Sequence, residues 1–268
     1  MSITKKLALR HLKQNKTRSV LTVLGITISV VMLTVIFTCA TSFAHYYGER
    51  AINTNGNWHF FVKTDYESAK KGIRASLEKS GLEYFDLYLL HQACGDYFSA
   101  WRAMEDAYKK GLLKAIGVSN FYPNILTNFC EVVKVKPVVN QVELHPYYTQ
   151  EKALETMKYY NVVPEAWAPL GGGRYNPFED EMLKRIATKY NKSVGQVILR
   201  WNIQRGVIVI PKSTHVERIK ENIDVFDFEL NEEEMKQISS LDMGYSGSRA
   251  KHFEPDFVRM VLNNKIHD

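Results

Sequence analysis

Short apolar runs alternate with longer amphipathic stretches from about residue 66 onward, and this alternation constrains the fold more than any other feature. The runs predicted to be buried strands are Phe85–Leu90, Leu113–Val118, Pro137–Val142, Val162–Trp167 and Gly206–Ile210. The stretches with apolar residues near helical spacing are Tyr66–Ser80, Tyr97–Lys110, Phe178–Tyr190 and Ser193–Gln204. Strands separated by helices indicate parallel βα units. An α/β barrel and a doubly wound sheet both satisfy this pattern.

Polar side chains stand where the first three of these strands end. His91 directly follows the first run, Ser119 and Asn120 follow the second, and Gln141 lies in the third. A neutral imidazole can donate a hydrogen bond to a developing alkoxide, and an amide side chain offers both a donor and an acceptor. Without further context, the same residues could instead be a structural histidine and ordinary loop caps.

Four motifs decide between these interpretations. They are Gly81–His91 (GLEYFDLYLLH), Gly117–Phe121 (GVSNF), Asn140–Pro146 (NQVELHP) and Ile210–Asn222 (IPKSTHVERIKEN). Their order and content over residues 66–268 resemble the aldo-keto reductases. The resemblance implies a (β/α)₈ TIM barrel with its site at the C-terminal ends of the strands. It also implies NADP(H)-dependent reduction of small aldehydes or ketones to alcohols.

The resemblance assigns the catalytic end of the site. His91 is expected to orient and polarise the substrate carbonyl. Ser119, Asn120 and Gln141 match residues that hold the nicotinamide carboxamide. Trp167 matches the position where the family places an aromatic residue, usually tyrosine, against the nicotinamide ring. For Trp167, the alternative is simple core packing.

The resemblance also assigns the rest of the cofactor contacts. They are Leu170 and Gly171 near the pyrophosphate, Lys212, Ser213 and Arg218 around the adenosine 2′-phosphate, and Glu221 and Asn222 near the adenine. Lysine and arginine can neutralise a dianionic phosphate, so these positions favour NADP(H) over NAD(H). The alternative is a helix N-terminus capped by Ser213 or Thr214.

Part of the family's catalytic machinery has no match in this sequence. Family members carry an aspartate, a tyrosine acid and a lysine in three earlier βα units, and no Asp-Thr-Ala-x-x-Tyr pattern occurs upstream of His91. Lys63 falls too close to His91 to match the lysine, and Trp58 occupies the expected position. We therefore expect an incomplete barrel of about five of the eight βα units, with open sheet edges. Without the tyrosine acid, we expect little turnover.

A long apolar segment precedes the reductase-like part. Residues 19–48 contain no Asp, Glu, Lys or Arg, and Ser19–Phe43 is rich in Val, Ile and Leu. A helix of about 20 apolar residues crosses a bilayer, whereas the apolar region of a signal peptide is shorter. The basic residues before this segment are Lys5, Lys6, Arg10, Lys13, Lys16 and Arg18. They predict a transmembrane helix at residues 19–43 with a cytoplasmic N-terminus, although the reductase part alone would be cytoplasmic.

The N-terminal segment carries a second resemblance. Leu7–Ile26 and Asn55–His59 resemble the start of an ABC-transporter permease of the macrolide-exporter and lipoprotein-release type. The predicted division is therefore residues 1–62, permease-like, and residues 66–268, a partial barrel. A membrane-spanning permease and a cytoplasmic reductase have contradictory requirements for their location. The combination indicates a fusion, a misassembled sequence or a degraded gene. The alternative functions are a non-catalytic permease fragment and a nucleotide-binding remnant.

Charge and cysteine content exclude two further classes of function. Six of the 35 basic residues lie in the first 18 positions, and the remaining 29 equal the 29 acidic residues. The net charge of +6 is thus a local feature and does not indicate a nucleic-acid-binding face. Cys39, Cys94 and Cys130 show no CxxC spacing, so we expect neither a disulfide framework nor a metal site.

Overall fold

The computed structural model describes residues 65–248, 251–252 and 254–263, all within the second of two units, Phe61–Asp268. The transmembrane helix predicted at residues 19–43 and the permease-like segment 1–62 lie outside the described residues, as do Trp58 and Lys63. Among the helices in these ranges, none combines the length and the hydrophobicity of a membrane-spanning segment.

Parallel strands form one sheet in this part of the chain. They are β1 (Tyr88–Leu90), β2 (Ile116–Ser119), β3 (Val139–Glu143), β4 (Val163–Trp167) and β5 (Ile208–Val209). Their spatial order is their sequence order, and each strand runs parallel to the next. A doubly wound sheet reverses its strand order at a switch point, whereas a barrel does not. The prediction of an α/β fold is confirmed, and the strand order favours the barrel-like arrangement.

Helices precede β1, connect the strands and cover one face of the sheet, and further helices follow β5. They are α1 (Tyr66–Ser80), α2 (Tyr97–Lys109), α3 (Pro123–Val132), α4 (Glu151–Tyr159), α5 (Glu181–Tyr190), α6 (Val194–Gln204), α7 (Val216–Ile223), α8 (Glu232–Ser239) and α9 (Pro255–Asn263). Short 3₁₀ helices occupy Gly171–Gly173 and Pro177–Glu179.

Local capping explains where two of the predicted helices begin and end. The Asp65 carboxylate accepts a 2.7 Å hydrogen bond from the Ser68 N–H, and Gly81 ends α1 with a φ of 66°. Ser193 and Gln196 form a reciprocal capping box at the start of α6. These groups satisfy donors and acceptors that a helix leaves unpaired at its ends.

The helix predicted from Phe178 was too long. Pro177–Glu179 forms a separate 3₁₀ helix, and α5 begins after Asp180. The Asp180 carboxylate accepts a 2.9 Å hydrogen bond from the Leu183 N–H, which starts a new helix at this point.

An aromatic cluster anchors α2 and α3 to the sheet. The Trp101 ring lies 5.1 Å from the Phe129 ring, which lies 4.9 Å from the Phe121 ring. The Trp101 indole N–H also donates to the Val135 carbonyl oxygen over 2.9 Å, so its one polar atom is satisfied. The buried strand residues on the helix-covered face include Val118, Val142 and Ala166.

The opposite face of the sheet brings β1, β2 and β3 close together. A Cβ atom added at Gly117 would lie 2.7 Å from the Leu89 Cδ2 atom and 2.9 Å from the Val139 carbonyl oxygen, so the glycine permits this approach. Towards β5, Val163 and Ile208 are each 43% exposed. Within the described residues, β1 and β5 each pair on one side only.

Candidate active site

The predicted catalytic-end residues meet at one edge of the sheet. His91 follows the last residue of β1, Ser119 ends β2, and Trp167 ends β4. Ser119 is in register with Gln141 on β3. Because parallel strands present their C-terminal ends at the same edge, residues distant in sequence become neighbours here.

Hydrogen bonds join four of these residues into a continuous row, the strand-end row. The Trp167 Nε1–H donates to the Asn120 Oδ1 atom over 2.9 Å. The Asn120 Nδ2 atom donates to the Ser119 Oγ atom over 3.1 Å, and that hydroxyl donates to the Gln141 carbonyl oxygen over 3.0 Å. Asn120 has a φ of 58°, a left-handed conformation that asparagine tolerates better than most residues. Hydrogen bonds within the protein therefore hold the row in a defined geometry.

Gln141 makes a further contact that no sequence pattern predicts. Its Nε2 atom lies 2.5 Å from the Glu165 Oε1 atom, and both side chains are buried. Glu165 belongs to β4 and is the registered partner of Gln141 on β3.

Two histidines lie near this edge of the sheet, since His91 directly follows β1 and the His252 ring contacts Trp167. Burial lowers the pKa of His91, which favours the neutral imidazole near pH 7. Burial, with the nearby charges of His91 and Arg174, lowers the pKa of His252 to about 4. The His252 ring packs edge-on against Trp167, with 5.7 Å between ring centroids. His252 of the C-terminal segment thus contacts the indole that the resemblance assigns to the nicotinamide.

A buried carboxylate ties β3 to two loops. Glu143 is 1% exposed and accepts hydrogen bonds from the Ser246 hydroxyl and, over 3.2 Å, from Arg174 Nη1. His145 Nε2 lies 3.2 Å from the same carboxylate. Burial alone would raise the pKa of Glu143, but these hydrogen bonds and the arginine charge outweigh it and hold the pKa below its ordinary value. Arg174 also lies 5.7 Å from the Trp167 ring centroid, so this cluster supports the edge of the site.

The residues assigned to the pyrophosphate follow β4. Leu170 precedes the 3₁₀ helix that Gly171 begins, and Gly171 is buried with a φ of 82°. A Cβ atom at Gly171 would lie 3.3 Å from the Tyr175 ring, so both the backbone conformation and the tight packing favour glycine.

The residues assigned to the 2′-phosphate and adenine form a second group beyond β5. Lys212 and Ser213 precede α7, which carries Arg218, Glu221 and Asn222 at the spacing of one helix face. Lys212 and Arg218 are exposed, and no ion pair within residues 65–248 engages either side chain. No hydrogen bond within the same range joins this group to the strand-end row.

The alternative interpretation of Ser213 and Thr214 as helix caps was wrong. Helix α7 begins at Val216 with His215 in the capping position and no side-chain capping bond. The Ser213 hydroxyl instead accepts a 3.1 Å hydrogen bond from the His215 N–H. The loop is folded locally, and the start of α7 does not depend on either hydroxyl.

Two tyrosines that could replace the missing acid point elsewhere. The Tyr66 hydroxyl donates to Asp106 over 2.7 Å, and the Tyr88 hydroxyl lies 3.2 Å from the Ser76 hydroxyl. Both therefore belong to contacts with the covering helices α1 and α2. Among the described residues, no group of three or more His, Cys, Asp or Glu side chains could hold a metal ion.

Comparison with known proteins shows which family this chain is related to. A sequence model of the aldo/keto reductase family matches residues 50–243. The uncharacterized oxidoreductase YtbE and the glyoxal reductase of Bacillus subtilis are each 47% identical over 178 residues, which is 66% of this chain and 63% and 64% of theirs. The chain therefore spans less than two thirds of these relatives' length. The crystal structure of a Bombyx mori aldo-keto reductase in complex with NADP has a TM-score of 0.66 and 35% identity, covering 74% of this chain and 73% of that one.

Proposed function

We propose, because this chain belongs to the aldo/keto reductase family, that it binds NADP(H) and reduces small aldehydes or ketones to alcohols. The observation that carries the proposal is the hydrogen-bonded row of Trp167, Asn120 and Ser119 at the sheet edge where His91 follows β1. The similarity to a glyoxal reductase and to an NADP complex supports both the substrate class and the cofactor.

The strand-end row has the chemistry needed to hold a nicotinamide. The carboxamide group has one acceptor and two donor hydrogens, and the side chains of Ser119, Asn120 and Gln141 offer complementary atoms. The flat Trp167 ring provides a face for stacking. When bound, NADPH supplies the hydride. The neutral His91 imidazole would donate a hydrogen bond to the substrate carbonyl oxygen and stabilise the negative charge that develops there.

We infer that turnover by this chain is slow. The hydroxyls of Tyr66 and Tyr88 are bonded at the covering helices and do not reach the strand-end row. The neutral His91 imidazole can stabilise the product alkoxide by a hydrogen bond but is not itself an acid near pH 7, so the proton would come from water. A site that takes this proton from water lacks the separate acid on which the family relies.

The test is carbonyl-dependent oxidation of NADPH by the purified full chain, with glyoxal as substrate. We expect His91→Leu to lower the rate by about a hundredfold, since the hydrogen bond that stabilises the developing alkoxide charge is lost. NADPH affinity should change little, because His91 is not assigned to the cofactor.

Matched control variants distinguish substitutions that affect the active site from substitutions that affect only the helices. Tyr66→Phe and Tyr88→Phe remove hydroxyls that bond α1 and α2, and we expect both variants to keep the rate of the unaltered chain. Loss of turnover in either variant would mean that its hydroxyl supplies the proton to the product. Absence of both NADPH binding and turnover in the unaltered chain would refute the proposed function.

We also propose that residues 19–43 attach the chain to a membrane. The support is the uncharged apolar stretch behind a basic N-terminus. After cell lysis and alkaline carbonate extraction, the full chain should remain in the membrane pellet, and a variant lacking residues 19–43 should leave it. Recovery of the full chain in the supernatant would contradict the attachment.

A further inference from the structure

A carboxylate occupies the middle of β4, where the sheet would accept an apolar residue. Glu165 is in register with Gln141 on β3 and with Ile208 on β5. Glu165 is 8% exposed and Gln141 is 6% exposed. No ion pair among the described residues neutralises Glu165. Because a buried carboxylate costs free energy that a valine or leucine would not, its presence calls for a specific partner.

That partner is the side-chain amide of Gln141. The Gln141 Nε2 atom lies 2.5 Å from the Glu165 Oε1 atom. A carboxylate accepts hydrogen bonds and does not donate them, so the amide must present its NH₂ group to Glu165. The bond also involves a charged acceptor, which makes it stronger than a bond between neutral groups. The rotation of the Gln141 amide is therefore set by Glu165.

The backbone of Gln141 is fixed as well. Its carbonyl oxygen accepts hydrogen bonds from the Ser119 hydroxyl, over 3.0 Å, and from the Asn120 N–H, over 2.8 Å. With both the backbone and the Nε2 atom held, the Gln141 Oε1 atom is the acceptor that remains for a ligand. A nicotinamide carboxamide has an NH₂ group that such an acceptor would bind.

We propose that Glu165 is a positioning residue that orients the Gln141 amide so that Oε1 accepts from the cofactor's carboxamide. The inference rests on the proposed function, since it assumes a nicotinamide at the strand-end row. Glu165 acts through Gln141 and does not touch the cofactor. Replacing Glu165 should therefore weaken the binding only of ligands that carry the nicotinamide.

The experiment compares two ligands on the purified full chain. NADP⁺ carries the nicotinamide, whereas 2′,5′-ADP carries only the adenosine end with its 2′-phosphate. We expect Glu165→Leu to weaken NADP⁺ binding roughly tenfold, as expected for the loss of one charge-assisted hydrogen bond. Its affinity for 2′,5′-ADP should stay within about twofold, which also reports that the variant is folded. Glu165→Gln keeps an acceptor oxygen and should restore most of the NADP⁺ affinity.

A double-mutant cycle tests whether Glu165 acts through Gln141. In the Gln141→Leu background, Glu165→Leu should cause no further loss of NADP⁺ affinity. Additive losses would overturn the inference, and so would equal weakening of both ligands. If Glu165→Leu does not fold, Glu165→Val supplies the same comparison with a residue favoured in strands. An unaltered chain that binds neither ligand refutes the proposed function itself, whereas normal NADP⁺ binding by Glu165→Leu refutes only the role of Glu165.

Discussion

The double variant Lys212→Met, Arg218→Leu should bind NADP⁺ about a thousandfold more weakly than the unaltered chain, because two charge-assisted contacts to the 2′-phosphate are removed. Its affinity for NAD⁺, which lacks that phosphate, should stay within about twofold. Equilibrium titration of both cofactors measures the change. The prediction depends on the two exposed cations beyond β5, neither of which is engaged by an ion pair within residues 65–248.

The variant Arg218→Lys and a variant of the neighbouring Lys220 test whether the loss of affinity is specific to the proposed phosphate contacts. Arg218→Lys keeps the charge but loses the planar fork that can bind a phosphate with two hydrogen bonds, so an intermediate loss of affinity is expected. Lys220→Met is the matched control, since Lys220 lies on the same helix and is 3.5 Å from Glu217. NADP⁺ affinity should be unchanged in that variant. If the double variant also binds NADP⁺ normally, the 2′-phosphate is held elsewhere.

The fold was predictable where local chemistry marks an element. The predicted bounds of α1 match the structure because Asp65 caps its start and Gly81 ends it in a left-handed conformation. The strand predicted at Phe85–Leu90 begins later, at Tyr88, and Phe85 makes only an isolated bridge to Leu113. Apolar character identifies a buried run but does not define where its pairing with the neighbouring strand begins.

The site was predictable only in part, for a related reason. His91, Ser119 and Trp167 could be placed together because the C-terminal ends of parallel strands share one edge. Glu143 could not be linked to Ser246, since the two are 103 residues apart and no local pattern joins them. Glu165 was missed in the same way, because its role depends on the cross-strand register of β3 and β4.

Replacing Glu143 should have a large effect on the stability of the folded chain. Glu143→Leu should lower the free energy of unfolding by about 3–5 kcal/mol, the usual cost of removing one partner of a buried charged pair. The buried His145 imidazole and the Ser246 hydroxyl would lose their acceptor, and Arg174 would lose its counter-charge. Urea denaturation of the full chain measures the loss. Glu155→Leu, which replaces an exposed glutamate on α4, is the matched control and should change stability little.

The pH dependence of this effect has a definite sign. Because the pKa of Glu143 in the folded chain lies below the ordinary value of 4.5, its contribution to stability is present above that pH and is lost as the pH falls below it. The stability difference between the Glu143→Leu variant and the unaltered chain should therefore narrow in acid. The loop containing Ser246 should also detach from β3 in the variant, so that trypsin cleaves faster at the exposed Lys251 at neutral pH. Equal cleavage rates would mean that the C-terminal segment is held over Trp167 by contacts other than Glu143.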